Sequence, residues 1–474
     1  MDSKSKEGRE LTITAVGDVW IGGFRRTTVY DEPEYMELIK LIQNADVGFV
    51  NMETLFLDDK NRVPYQPIGQ PIGIERHSAD PIIAEDLRRM GFNICSCAMN
   101  HSNDFGFEGI FSTMRTLDKA GFTHAGIGAT LSEASLPRYM QTKRGAVSIV
   151  SAYSSPFWGQ MATDPTPLAP DIARPGVNGI RADWVVDLAN FDKIREALKT
   201  GATDLRDPDQ WWKDYFGTDD VIHAPPLYII KREKPGTYAY TQPRRSDLER
   251  NLNAVKGAAG TSDWVIFALH DHTRNGIGFN PNDPSSSTQT IARASIDAGA
   301  DVFFGTAGSE EEACKGIEIY KNKPIFWTLG VWWEAVESMW RQTWEVYDEL
   351  LLPLDADIST IVDRMNQMFG RKGTDKKTLE KTWGEGAYEK DKELYWSSFL
   401  ATMRLEGEQG PNRRVTEIKL YPCDQRGDLP RAQRGRPLLT KGRLARKILG
   451  RLAENSAKYG TEIEIKEDIG IIKL

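Results

Sequence analysis

The stretch CAMNHSNDFGFEGI at residues 97–110 brings an amide, an imidazole and a carboxylate close together. Asn100 and His101 are adjacent, and Asp104 follows three residues later. An amide oxygen and an imidazole nitrogen can both bind a divalent metal ion, and an imidazole beside a metal can transfer protons. We therefore predict a reactive site in this stretch. The alternative for Asn100 and Asp104 is the ordinary role of such residues in holding turns.

Similar polar groups end three apolar runs elsewhere in the chain. Asp18 ends LTITAVGD, Asn51 and Glu53 end DVGFVNME, and His270 and His272 end SDWVIFALHDH. Taken singly, each group has an ordinary alternative, such as a helix or turn cap, a paired carboxylate or a hydrogen-bonded core histidine. Two histidines separated by two residues share one face of a strand if the strand continues. Carboxylate, amide and imidazole together suit Mn, Fe or Zn, so a divalent metal site explains the groups jointly.

Strand and helix signals alternate around these groups. β-rich runs at 11–19, 46–53, 92–101, 146–154, 262–272, 301–308 and 324–333 are interspersed with helical spacing at 35–45, 81–91, 111–121 and 288–299. This order predicts an α/β fold. Because ligands of open α/β sheets bind beyond the carboxyl ends of the strands, we expect the polar groups to meet at one edge.

Composition narrows the classes of function. The chain has 474 residues, of which 27% are charged and 40% hydrophobic, as is usual for a soluble globular protein. Its formal net charge of -8 disfavours nucleic acid and anionic membrane as partners. The four cysteines form no paired CxxC arrangement, and no run reaches the roughly 18 apolar residues of an integral membrane segment. We expect a cytoplasmic protein that acts on a small-molecule substrate, and a homo-oligomer is compatible with this composition.

Two segments interrupt the alternation and are interpreted as insertions. Residues 155–250 are rich in Pro, Asp and Trp, and residues 336–412 have helical, charged sequence. Either a lid or pocket wall, or simple packing and oligomer contacts, explains such insertions. The candidate substrate contacts are Asn51, Arg274 and Trp332. An arginine can receive a carboxylate or phosphate but is more often solvated, and the tryptophan can line a pocket or pack in the core.

Taken together, the motifs resemble the CapA family of capsule and poly-γ-glutamate synthesis proteins. Their fold is similar to that of the calcineurin-type metallophosphoesterases. The matching stretches span nearly the whole chain: TAVGDVWIGG (14–23), ADVGFVNMET (45–54), NHSNDFGFEG (100–109), GIGATLSEA (126–134), VIFALHDH (265–272), DAGADVFFG (297–305), IEIYKNKPIFWTLG (317–330) and the closing LAENSAKYGTEIEI.

The resemblance implies a four-layer α-β-β-α sandwich with a metal site at the strand ends. Its core would comprise residues 10–150 and 255–335, completed by 413–474. The metal ligands would be Asp18, Glu53, Asn100 and His270, and His101 with Asp104 would handle protons. His272 is a further imidazole two residues from a retained one, and we add it to the predicted ligands.

The chain departs from the family pattern at three places. Where relatives carry a His-Pro-His segment, this chain reads GTAGSEEEACKG at 305–316; HDHTR replaces His-Trp-Gly, and LGVW replaces Leu-Gly-Asn-Phe. Three interpretations follow: an enzyme with a single metal, an enzyme that relies on His101 and Asp104 without metal, or a non-catalytic subunit of a capsule or poly-γ-glutamate synthesis system. Because phosphoryl transfer leans on paired cations, the first interpretation favours amide or ester hydrolysis over phosphomonoester hydrolysis.

Overall fold

The computed structural model describes most of the chain. The described residues are 10–23, 25–59, 64, 76–157, 159–200, 221–224, 227–232, 240–273, 283–306, 315–335, 338, 342–369, 396–407, 413–430 and 432–474. Arg274 lies outside them, and so do Glu310, Glu311 and Glu312 of the GTAGSEEEACKG stretch. The predicted substrate contact at Arg274 therefore has no structural counterpart here.

Strands of two large sheets and several small ones make up the β-structure. In chain order they are β1 (Glu10–Ile21), β2 (Val47–Met52), β3 (Leu55–Phe56), β4 (Ser78–Ala79), β5 (Ile94–Ser96), β6 (Thr123–Ala125), β7 (Ile127–Gly128), β8 (Arg138–Thr142), β9 (Gly145–Tyr153), β10 (Gly176–Val177), β11 (Ala182–Asp187), β12 (Val221–Ala224), β13 (Leu227–Arg232), β14 (Tyr240–Pro243), β15 (Trp264–His270), β16 (Val302–Thr306), β17 (Ile317–Tyr320), β18 (Lys323–Phe326), β19 (Val331–Ala335), β20 (Ser397–Glu406), β21 (Arg414–Asp424), β22 (Leu438–Leu439), β23 (Glu464–Lys466) and β24 (Ile469–Lys473).

The helices connect and cover these strands. They are α1 (Pro33–Gln43), α2 (Pro81–Arg89), α3 (Gly106–Ala120), α4 (Leu131–Ser135), α5 (Leu188–Thr200), α6 (Arg245–Thr261), α7 (Ser286–Ala298), α8 (Trp344–Glu349), α9 (Ile358–Phe369) and α10 (Gly442–Ala457). A short 3₁₀ turn also spans Asn100–Asn103. In the described ranges, no helix combines the length and apolarity needed to cross a membrane.

The first large sheet has the strand order β23-β24-β21-β20-β1-β2-β5-β6, and β19 and β22 pair with β1 and β21. Its central strand β1 changes neighbours along its length. Residues 10–15 pair antiparallel with β20, whereas residues 18–21 pair parallel with β19. The register also shifts around Asp18 against both β2 and β19. Such a bulge redirects a side chain at the end of a strand.

The second large sheet has the order β17-β18-β16-β15-β9-β8, and β9, β15, β16 and β18 run parallel. Apolar residues of the two sheets belong to one buried cluster, in which the Phe49 and Phe304 rings stack with centroids 4.6 Å apart. Helices α1, α2 and α3 contribute to a cluster with the first sheet, and α6 and α7 to a cluster with the second. The molecule is therefore a mixed α/β protein with several sheets.

Most predicted strands and helices of the alternating part are present, with shifted ends. The strand predicted at 92–101 is reduced to β5, because the chain turns into the 3₁₀ segment before Asn100. Two elements lie across or inside the predicted segments. Helix α6 runs across the boundary near 250–255, and β20, inside the segment interpreted as a helical insertion, pairs with β1 in the main sheet. The 155–250 segment forms its own small sheet, ordered β12-β13-β11-β14.

Candidate functional site

The carboxyl ends of neighbouring strands create the site. His270 is the last residue of β15, and its backbone pairs with the ends of β9 and β16. Asp18 lies at the bulge in β1, and the Glu53 backbone N–H donates to the Val19 carbonyl at 3.2 Å, just beyond β2. Apolar residues of the two large sheets share one buried cluster, and His270 lies 3.7 Å from Asp18 and 3.5 Å from Glu53 across it. Sequence reasoning predicted this gathering.

Three side chains converge on one ring nitrogen of His270. His270 Nε2 lies 3.0 Å from Asn100 Oδ1, 3.1 Å from His272 Nε2 and 3.5 Å from Glu53 Oε1. Donor atoms bound to an ion at roughly 2.1 Å are separated by about 3.0–3.4 Å from adjacent donors. The observed separations are close to that range. We call Glu53, Asn100, His270 and His272 the donor cluster; three of its members, Glu53, His270 and His272, form the group in the described residues that can hold a metal ion.

The other nitrogen of His270 fixes the ring. Nδ1 lies 3.1 Å from Thr306 Oγ1, which can accept a hydrogen bond from the Nδ1–H group and so leave the Nε2 lone pair directed at the donor cluster. Asp18 Oδ1 is 3.7 Å from the same Nδ1. Asn51 donates to Asp18 Oδ1 at 2.6 Å and its amide nitrogen is 3.3 Å from Nδ1. Asp18 and Asn51 therefore contact the Nδ1 edge of the ring, and the Asp18 carboxylate also interacts with Glu53 of the donor cluster.

Burial shifts the pKa values of the ionisable groups in the site. Burial and then the Asp18 carboxylate raise the pKa of Glu53 well above its usual range. Burial also lowers the pKa of His270 well below its usual range, with the neighbouring His272 and His101 acting in the same direction. Glu53 Oε2 and Asn51 Oδ1 are buried and make no hydrogen bond to any described residue. A neutral imidazole and a carboxyl that ionises only beside a cation fit a divalent metal ion.

A second pair of side chains lies next to the donor cluster. His101 Nδ1 is 2.7 Å from Asp104 Oδ2, and both side chains are buried. The same carboxylate oxygen accepts the backbone N–H of His77 at 2.8 Å. Since Asp104 fixes Nδ1, the His101 Nε2 is the nitrogen left for a substrate. The arrangement suits proton transfer by His101.

His77 and Thr306 are site residues that sequence reasoning missed. The His77 and His101 rings meet edge to face with centroids 4.1 Å apart, and the Trp20 indole N–H points at the His77 ring. Burial lowers the pKa of His77 well below its usual range, so this imidazole is neutral. Neither residue lies in a recognisable motif. The one available signal was the scarcity of histidine, because the chain has only six and four of them lie in this site.

Trp332 lies away from the site. It is wholly buried in the cluster under α1, α2 and α3, where its ring meets Phe92 edge to face at 5.5 Å. Of the two explanations that the sequence left open for this residue, packing describes the observed position. Asn51 is the other candidate substrate contact that the structure describes, and it is wholly buried. Its side-chain amide donates to Asp18 and so helps to position that carboxylate.

Fold and site together define a mixed α/β protein with a metal-competent centre at its strand ends. The family model for the bacterial capsule synthesis protein PGA_cap matches residues 12–331, and this chain belongs to that family. The matched range contains every residue of the donor cluster and the His101–Asp104 pair.

Individual relatives agree with that assignment. Two Sinorhizobium fredii proteins, y4sH and y4uA, are each 34% identical over 480 residues, covering 98% of this chain and 93% of each relative. The capsule biosynthesis protein CapA of Bacillus anthracis is 22% identical, covering 69% of this chain and 60% of that protein. A probable polyglutamine synthesis accessory protein of Mycobacterium tuberculosis is 22% identical, covering 62% of this chain and 57% of that protein.

Proposed function

We propose that the protein is a metal-dependent hydrolase that cleaves an amide or ester bond at a single divalent ion. One observation carries the proposal: the donor cluster lies beside a buried His–Asp pair. We further propose that the two large sheets face each other and, with their outer helices, form the four-layer α-β-β-α sandwich of the metallophosphoesterase-like proteins. Residues 10–150 and 255–335 would be its core, with 413–474 completing it.

The proposed roles follow from position. Glu53, Asn100, His270 and His272 would hold Mn, Fe or Zn, with Asp18 adding negative charge beside Glu53. A divalent ion there would supply Lewis acidity toward a carbonyl oxygen and lower the pKa of a nearby water. Side chains of the protein would carry out the proton transfer.

Proton transfer is assigned to His101. Its Nε2 would protonate the leaving nitrogen or oxygen while Asp104 stabilises the imidazolium and holds its tautomer. His77 supports that carboxylate through its backbone N–H at 2.8 Å. Because these groups are nearly inaccessible to bulk water, their charges interact more strongly than they would on the surface.

Amide or ester cleavage is preferred to phosphomonoester cleavage. Phosphoryl transfer leans on two cations that neutralise the attacking and leaving oxygens. The described part of the chain contains one group of side chains that could hold a metal ion, within the donor cluster. The sequence at 305–316 lacks the two histidines of the family pattern.

A second candidate function is an accessory role in the synthesis of a capsule-type polymer. It is favoured by the names of the relatives from Bacillus anthracis and Mycobacterium tuberculosis. Such a role needs no turnover, and the donor cluster would then stabilise the fold or hold a ligand.

A substrate screen tests both candidates. Purified protein loaded separately with Mn, Fe or Zn is assayed on panels of amides, esters and phosphoesters, with His101→Ala as the control for each activity. We expect amide or ester hydrolysis that falls by about 10²–10⁴ in the control. Strong phosphatase activity would contradict the proposed chemistry. Stoichiometric metal without turnover on any panel would favour the accessory role.

A further inference from the structure

A pocket lined mainly by the segment after β9 has chemistry that the proposed centre does not use. It encloses about 320 Å³, within the size range of small-molecule sites. Pro156, Phe157, Met161 and Leu131 form apolar walls, and charged side chains also line it. It lies in the segment that follows β9, immediately after the strand that pairs with β15.

The pocket contains one arginine whose terminal nitrogens are available. Arg174 donates from Nε to the Met161 carbonyl at 3.1 Å, which fixes the guanidinium plane. Among the described residues, no carboxylate or carbonyl accepts from its two terminal nitrogens. The other arginine of the pocket, Arg181, is already neutralised by Asp247, to which it donates at 2.7 and 2.9 Å. A guanidinium group that is anchored through Nε and has both terminal nitrogens available is suited to bind a carboxylate.

The pocket also contains a carboxylate that has no cationic partner among the described residues. Asp164 accepts the Ser132 backbone N–H at 2.7 Å and the Ser132 hydroxyl at 2.8 Å. It forms no ion pair with Arg174, although both side chains line the same space. Each oxygen of Asp164 retains a lone pair for a further donor. Opposite charges held apart on an apolar wall can bind the two ends of one small zwitterion.

The loop that lines the pocket also contacts the donor cluster. Gln160 is wholly buried, and its Nε2 donates to the Asn100 backbone carbonyl at 2.6 Å. Its Oε1 accepts the Phe157 backbone N–H at 2.9 Å. Phe157 lines the pocket, and Asn100 Oδ1 belongs to the donor cluster. One buried glutamine thus joins the two sites.

We propose that this pocket binds the end of a substrate that has a carboxylate and an amino group on an apolar body. Arg174 receives the carboxylate, Asp164 receives the amino N–H groups, and Phe157 and Met161 contact the apolar part. The scissile amide or ester bond is then formed by a further group of that compound, because its carboxylate and amino group both stay free to bind Arg174 and Asp164. This assignment of substrate class rests on the proposed hydrolase function, whereas the binding itself does not.

Three probes of similar shape separate the contributions. They are L-phenylalanine, which has both charged groups, 3-phenylpropionate, which has the carboxylate alone, and 2-phenylethylamine, which has the amine alone. Binding to the full, metal-free chain is measured by calorimetry and by ligand-observed NMR. We expect phenylalanine to bind more tightly than 3-phenylpropionate, and 2-phenylethylamine to bind least.

Variants assign the binding to named side chains. Arg174→Gln should weaken phenylalanine and 3-phenylpropionate at least about tenfold, the effect of losing a charge-assisted hydrogen bond. Asp164→Asn should weaken phenylalanine and leave 3-phenylpropionate unchanged. Arg144→Gln is the matched control, because this exposed arginine precedes β9 at the end away from the pocket. Arg174→Lys keeps the charge and covers the case in which Arg174→Gln is misfolded.

The outcomes separate this proposal from the proposed function. Absence of binding by both carboxylate probes, or equal binding in Arg174→Gln and the unaltered chain, would overturn the pocket assignment whatever the protein hydrolyses. Equal affinity for phenylalanine and 3-phenylpropionate would overturn the role of Asp164. Because the probes are tested on metal-free protein, a failure of the hydrolase screen leaves the binding result intact.

Discussion

Replacement of His270 by alanine should remove metal binding more completely than any other single change in the donor cluster. Its Nε2 is the atom around which the other donors lie, at 3.0, 3.1 and 3.5 Å. A tightly held divalent ion contributes about 10–16 kcal/mol over four donors, so one donor accounts for about 3 kcal/mol. That corresponds to a loss of affinity of about a hundredfold.

The His270→Ala substitution also opens a cavity, so its effect on metal binding must be distinguished from its effect on stability. His270 is wholly buried, and loss of a buried side chain of this size costs about 2–4 kcal/mol of stability. His124→Ala is a matched control. His124 is also buried and has a carboxylate partner, Asp118, at 3.0 Å, but it lies outside the donor cluster.

The assay is metal content after dialysis against a chelator and reloading, followed by calorimetric titration with Zn and Mn. The shift in melting temperature on metal addition provides a second measure. We expect His124→Ala to bind about one equivalent with the affinity of the unaltered chain, and His270→Ala to bind about a hundredfold more weakly with a correspondingly smaller shift. Occupancy of His270→Ala within about threefold of His124→Ala would refute the assignment, and retention of two equivalents by the unaltered chain would refute the single-metal proposal.

Three further predictions test the electrostatics of the site and of the fold. Glu53→Gln should raise the melting temperature of the metal-free protein at neutral pH while abolishing metal-induced stabilisation. The raised pKa of Glu53 means that its contribution to folding is present at low pH and lost as pH rises, and calorimetry with and without metal checks both signs. Asp104→Asn should lower kcat by about 10²–10⁴ without changing metal content, because His101 loses its tautomer, and unchanged kcat would contradict the proton-transfer role. Asp247→Asn should reduce the free energy of unfolding by about 2–4 kcal/mol, measured by denaturant titration. Burial raises the pKa of Asp247 but the hydrogen bonds from Arg181 outweigh it, so the net pKa is lowered and this stability should disappear as pH falls through that lowered value.

Metal affinity should also increase with pH. Binding requires the ionised form of Glu53, whose pKa is raised by burial and by Asp18. Protons therefore compete with the ion below that pKa, and the apparent affinity should fall about tenfold for each pH unit lost. Titrations across the neutral range measure the slope. A flat profile would show that the carboxylate takes no part in binding.

The alternation of strand and helix and the chemical types at the strand ends were readable from the sequence. Periodic apolar runs have few ways to be buried, so the predicted strands 11–19 and 146–154 correspond to β1 and β9 within one or two residues. Parallel strands bring their carboxyl ends to one edge, so the sequence alone predicts that Glu53, Asn100 and His270 lie together.

Long-range pairing and orientation were decided by tertiary structure. Nothing local in 397–406 distinguishes a core strand within a segment that otherwise reads as helical, and β20 is fixed by its partner β1, almost four hundred residues earlier. Tertiary structure also decides the positions of His77 and Trp332. The His77 ring meets His101 because the chain around β4 brings it there, and Trp332 is buried because helices pack over it. The sequence by itself determined which chemical groups are present and that strand ends would gather them. Only the tertiary structure decided which nitrogen of His270 faces the donor cluster and which charges remain open in the pocket after β9, because those depend on contacts between residues far apart in the chain.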